Sequence, residues 1–261
     1  MVSRNKQKEA TIAVKLEEPL TSESCSKIII ELIKYVLFQK QQIPFSFDTL
    51  MQLQGRIKPT DKSFNNNKTL FNTLDNMTFQ LSSQLHLSGC DIKEVVVIIG
   101  ATTVSPKFSL KLELPRVILS SKKHAEHQHS FRKPLLTLMK SLVECPEFQE
   151  AMTVPLGLTN TFVLIQKSDT NNKSDYFLPK PQYNLPAHSG SCFTIKLYHD
   201  DDFILDCKCP NLVRIYHDQL ENNVDSDDVD EKIDRRGCIE AEASYLWYQS
   251  KEFVKGFKFL R

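Results

Sequence analysis

Histidines form the first group of side chains in this sequence whose spacing could support chemistry. His124, His127 and His129 fall within six residues of a basic stretch. Imidazole nitrogens are good zinc ligands, but a structural zinc site needs four ligands in a closed tetrahedral arrangement. No second His-x-His or Cys-x-x-Cys pair stands nearby to complete such a set. We therefore predict that the three histidines belong to a solvent-exposed loop.

The cysteines form a second possible group of ligands. Cys207 and Cys209, together with His199 and Cys238, could supply four, although Cys-x-Cys is a weak zinc spacing and an acidic stretch precedes Cys238. Buried or edge-strand thiols are the expected alternative. The seven cysteines are an odd number without framework spacing, which is typical of free thiols in a chain with no secretion signal.

Motifs of common enzymes are missing from the sequence. It contains no Gly-x-Ser-x-Gly nucleophile elbow and neither of the two glycine-rich phosphate-binding loops. Seven cysteines and seven histidines allow many Cys–His pairs, so pairing alone does not identify a thiol hydrolase. We predict a protein that is not an enzyme, with no catalytic residue, no cofactor and no metal.

The composition indicates one hydrophobic core with many loops. The 261 residues include 33 Lys and Arg against 32 Asp and Glu, so the overall charge does not favour nucleic acid or an anionic membrane. The apolar share is 41%, slightly below the usual range of about 45–50%. The longest apolar run, Val95–Ile99, is far shorter than the roughly 20 residues of a membrane span. No apolar signal region follows the basic N-terminus, so we expect no secretion.

The periodicity of apolar residues predicts an α+β domain. Helical spacing extends over residues 24–42, before Pro44, and again over residues 70–85. A third helix after Pro134 is apolar nearly all round, which indicates burial or a partner surface. The expected fold has three main helices packed on a largely antiparallel sheet. The predicted strands are 94–99, 108–114, 161–166, 193–198, 203–206 and the aromatic stretch that begins at Tyr245.

We expect a single domain after a short tail. Residues 1–22 are polar and weakly patterned and are interpreted as a flexible N-terminal tail, with an edge strand at Thr11–Leu16 as the alternative. Residues 23–261 form the domain. Eight acidic residues and one lysine between Asp218 and Asp234 indicate a solvated loop. The expected irregular segments are loops near 54–67, 120–130 and 167–176 and an acidic insertion at 217–236.

Two stretches are suited to binding a protein partner. The third helix carries more apolar residues than one buried face requires. The segment Phe177–Pro186 contains three prolines within eight residues, which makes it extended and pre-ordered. Such a segment loses little entropy on docking. An edge strand or an ordinary connector is the alternative for this segment.

Four stretches occur in an order that is found in a known family. They are Tyr35–Pro44, Leu138–Phe148, Phe177–Pro186 and Tyr245–Phe257, with a weaker match at Val95–Pro106. In these stretches the chain resembles the comet family of adaptors, which bind the mitotic-arrest-deficient-two checkpoint protein and silence the spindle assembly checkpoint. The similarity covers most of residues 25–258, and the Pro-Lys segment and the aromatic C-terminus are its most specific parts.

The resemblance implies a HORMA-like domain whose C-terminal segment occupies its own safety-belt position. It also implies a non-enzymatic adaptor that binds the closed conformer of a HORMA checkpoint protein as a heterodimer and acts on the mitotic checkpoint complex. The adaptor presents that partner to a hexameric AAA+ ATPase, which uses ATP to open it. The implied location is the nucleus and cytoplasm, with the spindle and kinetochore in mitosis.

The resemblance also implies functional residues. The partner contacts fall on Gln39 in the first helix and Met139 in the third, and the ATPase-facing pair is Pro179 and Lys180. We add Leu135 to the partner contacts because it shares a helix face with Met139.

The chain departs from the family pattern at two of these places. Met139 replaces an aromatic residue, so a flexible apolar side chain takes the place of ring packing. Leu178 stands where a basic residue is usual, which weakens charge steering at the Pro-Lys pair.

Two other functions remain open from the sequence. The chain could be a HORMA protein that captures closure-motif peptides in checkpoint or meiotic signalling, if residues 240–261 detach readily. It could also be a thiol enzyme or a metal protein, which a hyper-reactive cysteine or stoichiometric zinc would indicate.

Overall fold

The computed structural model describes residues 8–56, 62–87, 91–115, 130–168, 174–186, 190–199 and 245–258. These residues form five helices and eight strands. The helices are α1 (Ser22–Gln39), α2 (Phe47–Gln54), α3 (Lys62–His86), α4 (Arg132–Glu144) and α5 (Pro146–Thr153). The strands are β1 (Glu9–Lys15), β2 (Ile92–Gly100), β3 (Pro106–Glu113), β4 (Asn160–Ser168), β5 (Phe177–Lys180), β6 (Ser191–Tyr198), β7 (Tyr245–Ser250) and β8 (Val254–Lys255).

The strands form one sheet in the order β1-β6-β3-β2-β4-β7-β5, with β8 paired to the first two residues of β4. Strand β6 runs parallel to β1 and to β3, and every other described pairing is antiparallel. Strand β7 lies inside the sheet, between β4 and β5. Three long helices and a largely antiparallel sheet confirm the predicted α+β, HORMA-like fold class.

Both faces of the sheet are covered where β2 lies. Val95 and Val97 belong to the main core, which the helices also line. Val96 and Ile98 point to the other face and join a smaller cluster that contains Trp247. In a strand that is covered on both faces, neither set of alternating side chains faces solvent, and the sequence is therefore a continuous apolar run.

Helix α1 is the central helix of the main core. Its first turn is closed by a capping box, in which Thr21 Oγ1 accepts from the Ser24 backbone N–H at 3.1 Å. Ile29, Leu32 and Val36 are among the residues that it buries, and it packs against α3. The helix ends at Gln39 rather than near Gln42.

The predicted N-terminal tail is wrong for the described residues after Lys8. Strand β1 pairs with β6 along its whole length, and Ile12, Val14 and Leu16 are buried. Their alternation with exposed residues is the strand signal noted as the alternative. The ordered domain therefore begins well before residue 23.

The predicted loop near 54–67 is wrong at its second half. Helix α3 begins at Lys62, and Asn67 is already buried within it. The short helix α2 was not predicted. It is capped by Ser46, buries Leu50, and places the Phe47 ring edge-on to Phe71, with the ring centroids 5.0 Å apart.

Other predicted segments lie wholly or partly outside the described residues. They are the strand 203–206, the acidic insertion 217–236, and almost all of the loop near 120–130. The loop predicted near 167–176 is wrong at its start, because Lys167 and Ser168 belong to β4, and residues 169–173 of it lie outside the described residues. Of the described helices, none combines the length and the apolar character that crossing a membrane requires.

Candidate functional site

The end of helix α1 carries the first predicted contact residue. Gln39 is half-buried, and Phe38 beside it is 41% exposed. Lys40 closes the helix, and its backbone N–H donates to the Val36 carbonyl at 2.9 Å. Gln41 follows with a φ of 54°, which a helix does not tolerate, so the chain turns away at this point.

Helix α4 carries the other two predicted partner contacts on its flank. Leu138 and Leu142 face the core and are fully buried. Leu135 and Met139 lie one turn apart, are half-buried, and pack against the edge of that core. Both residues are therefore partly covered by the protein itself.

The outer face of α4 is apolar as well. Leu136 is 69% exposed and Val143 is 61% exposed. They are seven residues apart and so share one face of the helix, with the exposed Lys140 between them. A helix that buries one side and exposes large apolar residues on the other presents an interaction surface. We call Phe38, Gln39, Leu135, Leu136, Met139 and Val143 the helical surface.

Sequence reasoning missed three members of the helical surface. Leu136 and Val143 contribute to the apolar character of the third helix, but the sequence could not assign them to the outer face. Phe38, which directly precedes Gln39, was not predicted as a contact residue. The available signal was the excess of apolar residues in α4, since one buried face of a short helix does not use them all.

Ring contacts join α1 to the residue before α4 and to α5. Lys27 Nζ lies 5.8 Å from the ring centroid of Phe131, which immediately precedes α4. Further along α1, Tyr35 stacks on Phe148 of α5 with centroids 6.5 Å apart. The residue before α4 therefore lies near the first half of α1, and α5 lies near its second half.

The predicted ATPase-facing pair lies on the edge strand β5. Pro179 is exposed, and its missing N–H suits a sheet edge. Lys180 Nζ donates to Thr103 Oγ1 at 2.9 Å and lies 5.2 Å from the Tyr183 ring centroid. Desolvation lowers the pKa of Lys180. The Tyr183 hydroxyl donates to the Thr103 carbonyl at 3.0 Å, and its ring packs edge-on against Trp247.

These contacts give Lys180 a fixed position beside a shallow hollow. The hollow has a volume of about 270 Å³ and is lined by Lys180, Pro181, Gln182 and Tyr183. We call Pro179, Lys180, Tyr183 and Thr103 the Pro-Lys corner. Thr103 was not predicted, because nothing in the sequence links the β2–β3 turn to β5.

Helix α4 and strand β5, which carries the Pro-Lys pair, lie at opposite edges of the sheet. Helix α4 packs against β1, and β5 is at the other end of the strand order. Six strand spacings of about 4.8 Å separate β1 from β5 by about 29 Å, and Lys180 reaches from β5 back to Thr103 in the β2–β3 turn. The structure therefore places Leu135 and Met139 together on α4, Gln39 at the end of α1, and Pro179 and Lys180 on the far strand β5.

The described residues contain no group of three His, Cys, Asp or Glu side chains that could hold a metal ion. His199 Nε2 lies 2.9 Å from the Glu18 carbonyl oxygen, within hydrogen-bond distance. The remaining candidate ligands from the sequence, His124, His127, His129, Cys207, Cys209 and Cys238, lie outside the described residues.

Comparison with known proteins points to one family. The family model described as "p31comet: Mad1 and Cdc20-bound-Mad2 binding" matches residues 3–208. A Mus musculus protein named MAD2L1-binding protein is 22% identical over 249 residues, which is 92% of this chain and 76% of that protein. The Homo sapiens protein of the same name is 23% identical over 201 residues, 73% of this chain and 71% of that protein. Because the family model covers well over half of its length, the chain belongs to the p31comet family.

Proposed function

We propose that this chain is a non-enzymatic adaptor for a HORMA checkpoint protein of the Mad2 type. It binds the closed conformer of that protein as a heterodimer and presents it to a hexameric AAA+ ATPase. The ATPase opens the partner, which disassembles the mitotic checkpoint complex and silences the checkpoint. The family description and the names of both relatives refer to binding, which supports this class of function.

The observation that carries the proposal is the exposed apolar face of α4. Leu136 and Val143 would lose their contact with water on docking, and burial of apolar area is the main source of affinity at such a contact. Gln39 supplies hydrogen-bonding groups at the end of α1, and Leu135 and Met139 lie on α4 at the edge of the core. This combination suits a helix or groove of a partner protein.

The distance between the two surfaces supports a bridging role. Helix α4 packs against β1 at one edge of the sheet, and the Pro-Lys pair lies on β5 at the other, so a partner on α4 and an ATPase at the Pro-Lys corner dock at different places. Both can therefore be bound at once. In this proposal the chain uses no ATP itself, and the ATPase supplies the energy for opening.

The position of β7 favours an adaptor over a protein that captures closure peptides. Peptide capture requires the C-terminal segment to leave its place, and β7 is hydrogen-bonded to β4 on one side and to β5 on the other. Both ladders would have to break. In this proposal the chain fills its own belt position and needs no separate peptide.

The adaptor function is tested by size-exclusion chromatography of the full chain with closed-locked and open-locked forms of the HORMA checkpoint protein. A 1:1 complex with the closed form alone is the expected result. Absence of a complex with either form would overturn the proposal, and short-peptide capture would then be measured instead.

The ATPase step is tested with a double variant, Pro179→Ala with Lys180→Ala. We expect it to keep the complex with the closed partner and to lose ATPase-driven opening, measured as the rate at which the closed form is converted. Normal opening would show that the Pro-Lys corner does not face the ATPase.

We propose that the chain acts in the nucleus and cytoplasm and reaches the spindle and kinetochores in mitosis, as the family resemblance implies. Imaging of a fluorescently tagged chain through mitosis tests this. Absence of the tagged chain from kinetochores and spindle would contradict the proposed location.

A further inference from the structure

A buried amide side chain lies directly behind the end of α1. Gln42 is fully buried, and its Nε2 lies 3.0 Å from the Lys40 carbonyl oxygen and 3.3 Å from those of Leu156 and Gly157. Its Oε1 accepts from the Thr159 backbone N–H at 2.9 Å. One side chain thus satisfies the backbone of the α5–β4 connection at several points, which is expensive to disrupt in a buried position.

The C-terminal segment docks onto the same glutamine. The Phe257 N–H donates to the Gln42 backbone carbonyl at 2.8 Å, and the Gly256 N–H donates to the Thr159 carbonyl at 2.8 Å. A Cβ at Gly256 would lie 2.7 Å from Gln42 Oε1 and 3.0 Å from the Thr159 oxygen. At position 256, therefore, only glycine lets the C-terminal segment approach the side-chain amide of Gln42 this closely.

The side of the C-terminal segment that faces away from Gln42 is less tightly packed. Residues 251–258 border a hollow of about 910 Å³ whose other wall is the first half of α3. A hydrogen bond from Asn76 Nδ2 to Glu252 Oε1, at 3.0 Å, bridges the segment to that helix. The close backbone contacts at the end of the segment are those on the Gln42 side.

Gln42 is in turn bonded to the last turn of α1. Its backbone N–H donates to the Leu37 carbonyl at 2.8 Å, and the Gln41 N–H donates to the Phe38 carbonyl at 3.0 Å. The turn that carries Phe38 and Gln39 is closed by these two bonds. Gln41 holds a φ of 54° between them, a conformation that persists only when its surroundings fix it.

We propose that Gln42, Gly256 and Phe257 form a latch that couples docking of the C-terminal segment to the shape of the α1 end. Gln42 is then a positioning residue for Phe38 and Gln39, although it is not exposed to any partner. The inference rests on the proposed function in so far as these two residues contact the HORMA partner. Release of the segment loosens the turn at residues 40–42, and binding of the partner tightens the segment.

The test is a matched pair of glycine substitutions in the full chain. Gly256→Ala places a methyl group against Gln42, whereas Gly157→Ala, in the neighbouring connection, meets open space. In Gly256→Ala we expect the backbone N–H groups of Phe257 and Gln42 to exchange with solvent about tenfold faster. This change corresponds to an opening free energy that is lower by about 1.4 kcal/mol. In Gly157→Ala the exchange rates of the same two N–H groups should stay within about twofold of those in the unsubstituted chain, because the Gln42 side chain keeps its place.

The unsubstituted chain provides a second measurement that does not depend on the folding of any variant. Coupling between two sites is reciprocal, so saturating the chain with the closed HORMA partner must slow exchange at the Phe257 and Gly256 amides. The expected slowing is again about tenfold. Unchanged exchange at Phe257 in the complex would overturn the coupling.

Failure of the latch and failure of the proposed function give different results. If the HORMA partner does not bind at all, the adaptor proposal fails, and exchange in Gly256→Ala still decides the latch. Faster exchange at the Phe257 N–H with unchanged exchange at the Gln42 backbone N–H would show that docking of the C-terminal segment is not coupled to the end of α1. That result would overturn the inference. Faster exchange at both amides together with weaker partner binding supports both proposals.

Discussion

Replacing Leu136 with aspartate separates partner binding from folding. Burying a whole leucine side chain stabilises by about 1.5–3 kcal/mol, and Leu136 is 69% exposed in the free chain. Docking can therefore recover about 1–2 kcal/mol from this residue. An aspartate in its place also loses hydration of its carboxylate on docking, so the expected loss is at least about 2 kcal/mol. That corresponds to an affinity about 30-fold weaker.

The same substitution should leave the domain folded. Leu136 contributes little to the core because most of its surface is in water. The helix propensities of leucine and aspartate differ by less than about 1 kcal/mol, so the free energy of unfolding should fall by no more than that. Isothermal titration with the closed HORMA partner measures the affinity, and urea denaturation measures the stability.

Phe79→Asp is the matched control for Leu136→Asp. Phe79 lies on α3 and is 67% exposed, so the two variants lose a large apolar side chain at equal exposure on different helices. We expect Phe79→Asp to bind the partner within about twofold of the unsubstituted chain. Equal weakening by both variants, or unchanged binding by Leu136→Asp, would refute the assignment of the helical surface.

Three further predictions follow from individual contacts. Burial, with a smaller effect of Lys8, lowers the pKa of Lys40 from its ordinary 10.5 to about 8. Between these two pH values the unfolded chain binds more protons than the folded chain, so Lys40 makes the free energy of unfolding rise with pH. Lys40→Met should flatten that rise, as measured by urea denaturation at several pH values. Thr103→Val removes the acceptor of Lys180 and should slow ATPase-driven opening severalfold at unchanged partner affinity, measured as the conversion rate and by titration. Thr21→Ala removes the α1 cap and should lower the free energy of unfolding by about 1 kcal/mol, measured with urea, whereas an unchanged midpoint would contradict the capping role.

The sequence predicted those elements whose side chains repeat a simple pattern. The run Val95–Ile99 gave a strand covered on both faces, and the structure puts alternate residues of that run in two separate clusters. The alternation of Ile12, Val14 and Leu16 was equally regular, but its polar surroundings favoured a tail. What fixes β1 is its parallel pairing with β6, about 180 residues further along the chain. No local pattern contains that information.

The candidate site was only partly predictable for a related reason. Helical spacing groups Leu135 with Met139 and Leu136 with Val143, but it does not say which pair faces water. That choice depends on where α4 rests on the sheet. The roles of Gln42 and Thr103 depend on contacts with distant residues, at Thr159 and Lys180 respectively. Single side chains of this kind carry no periodic signal.

The strand order also decides when during synthesis the Pro-Lys corner can exist. Within the described strands, β5 has β7 as its hydrogen-bonded neighbour, and β7 begins 65 residues after β5 ends. A ribosome that adds about 5–20 residues per second therefore exposes β5 for several seconds before its neighbour has been made. A nascent chain that already has α1 and α4 still lacks this corner. If the corner is where the ATPase docks, only a chain translated through residue 250 can recruit it.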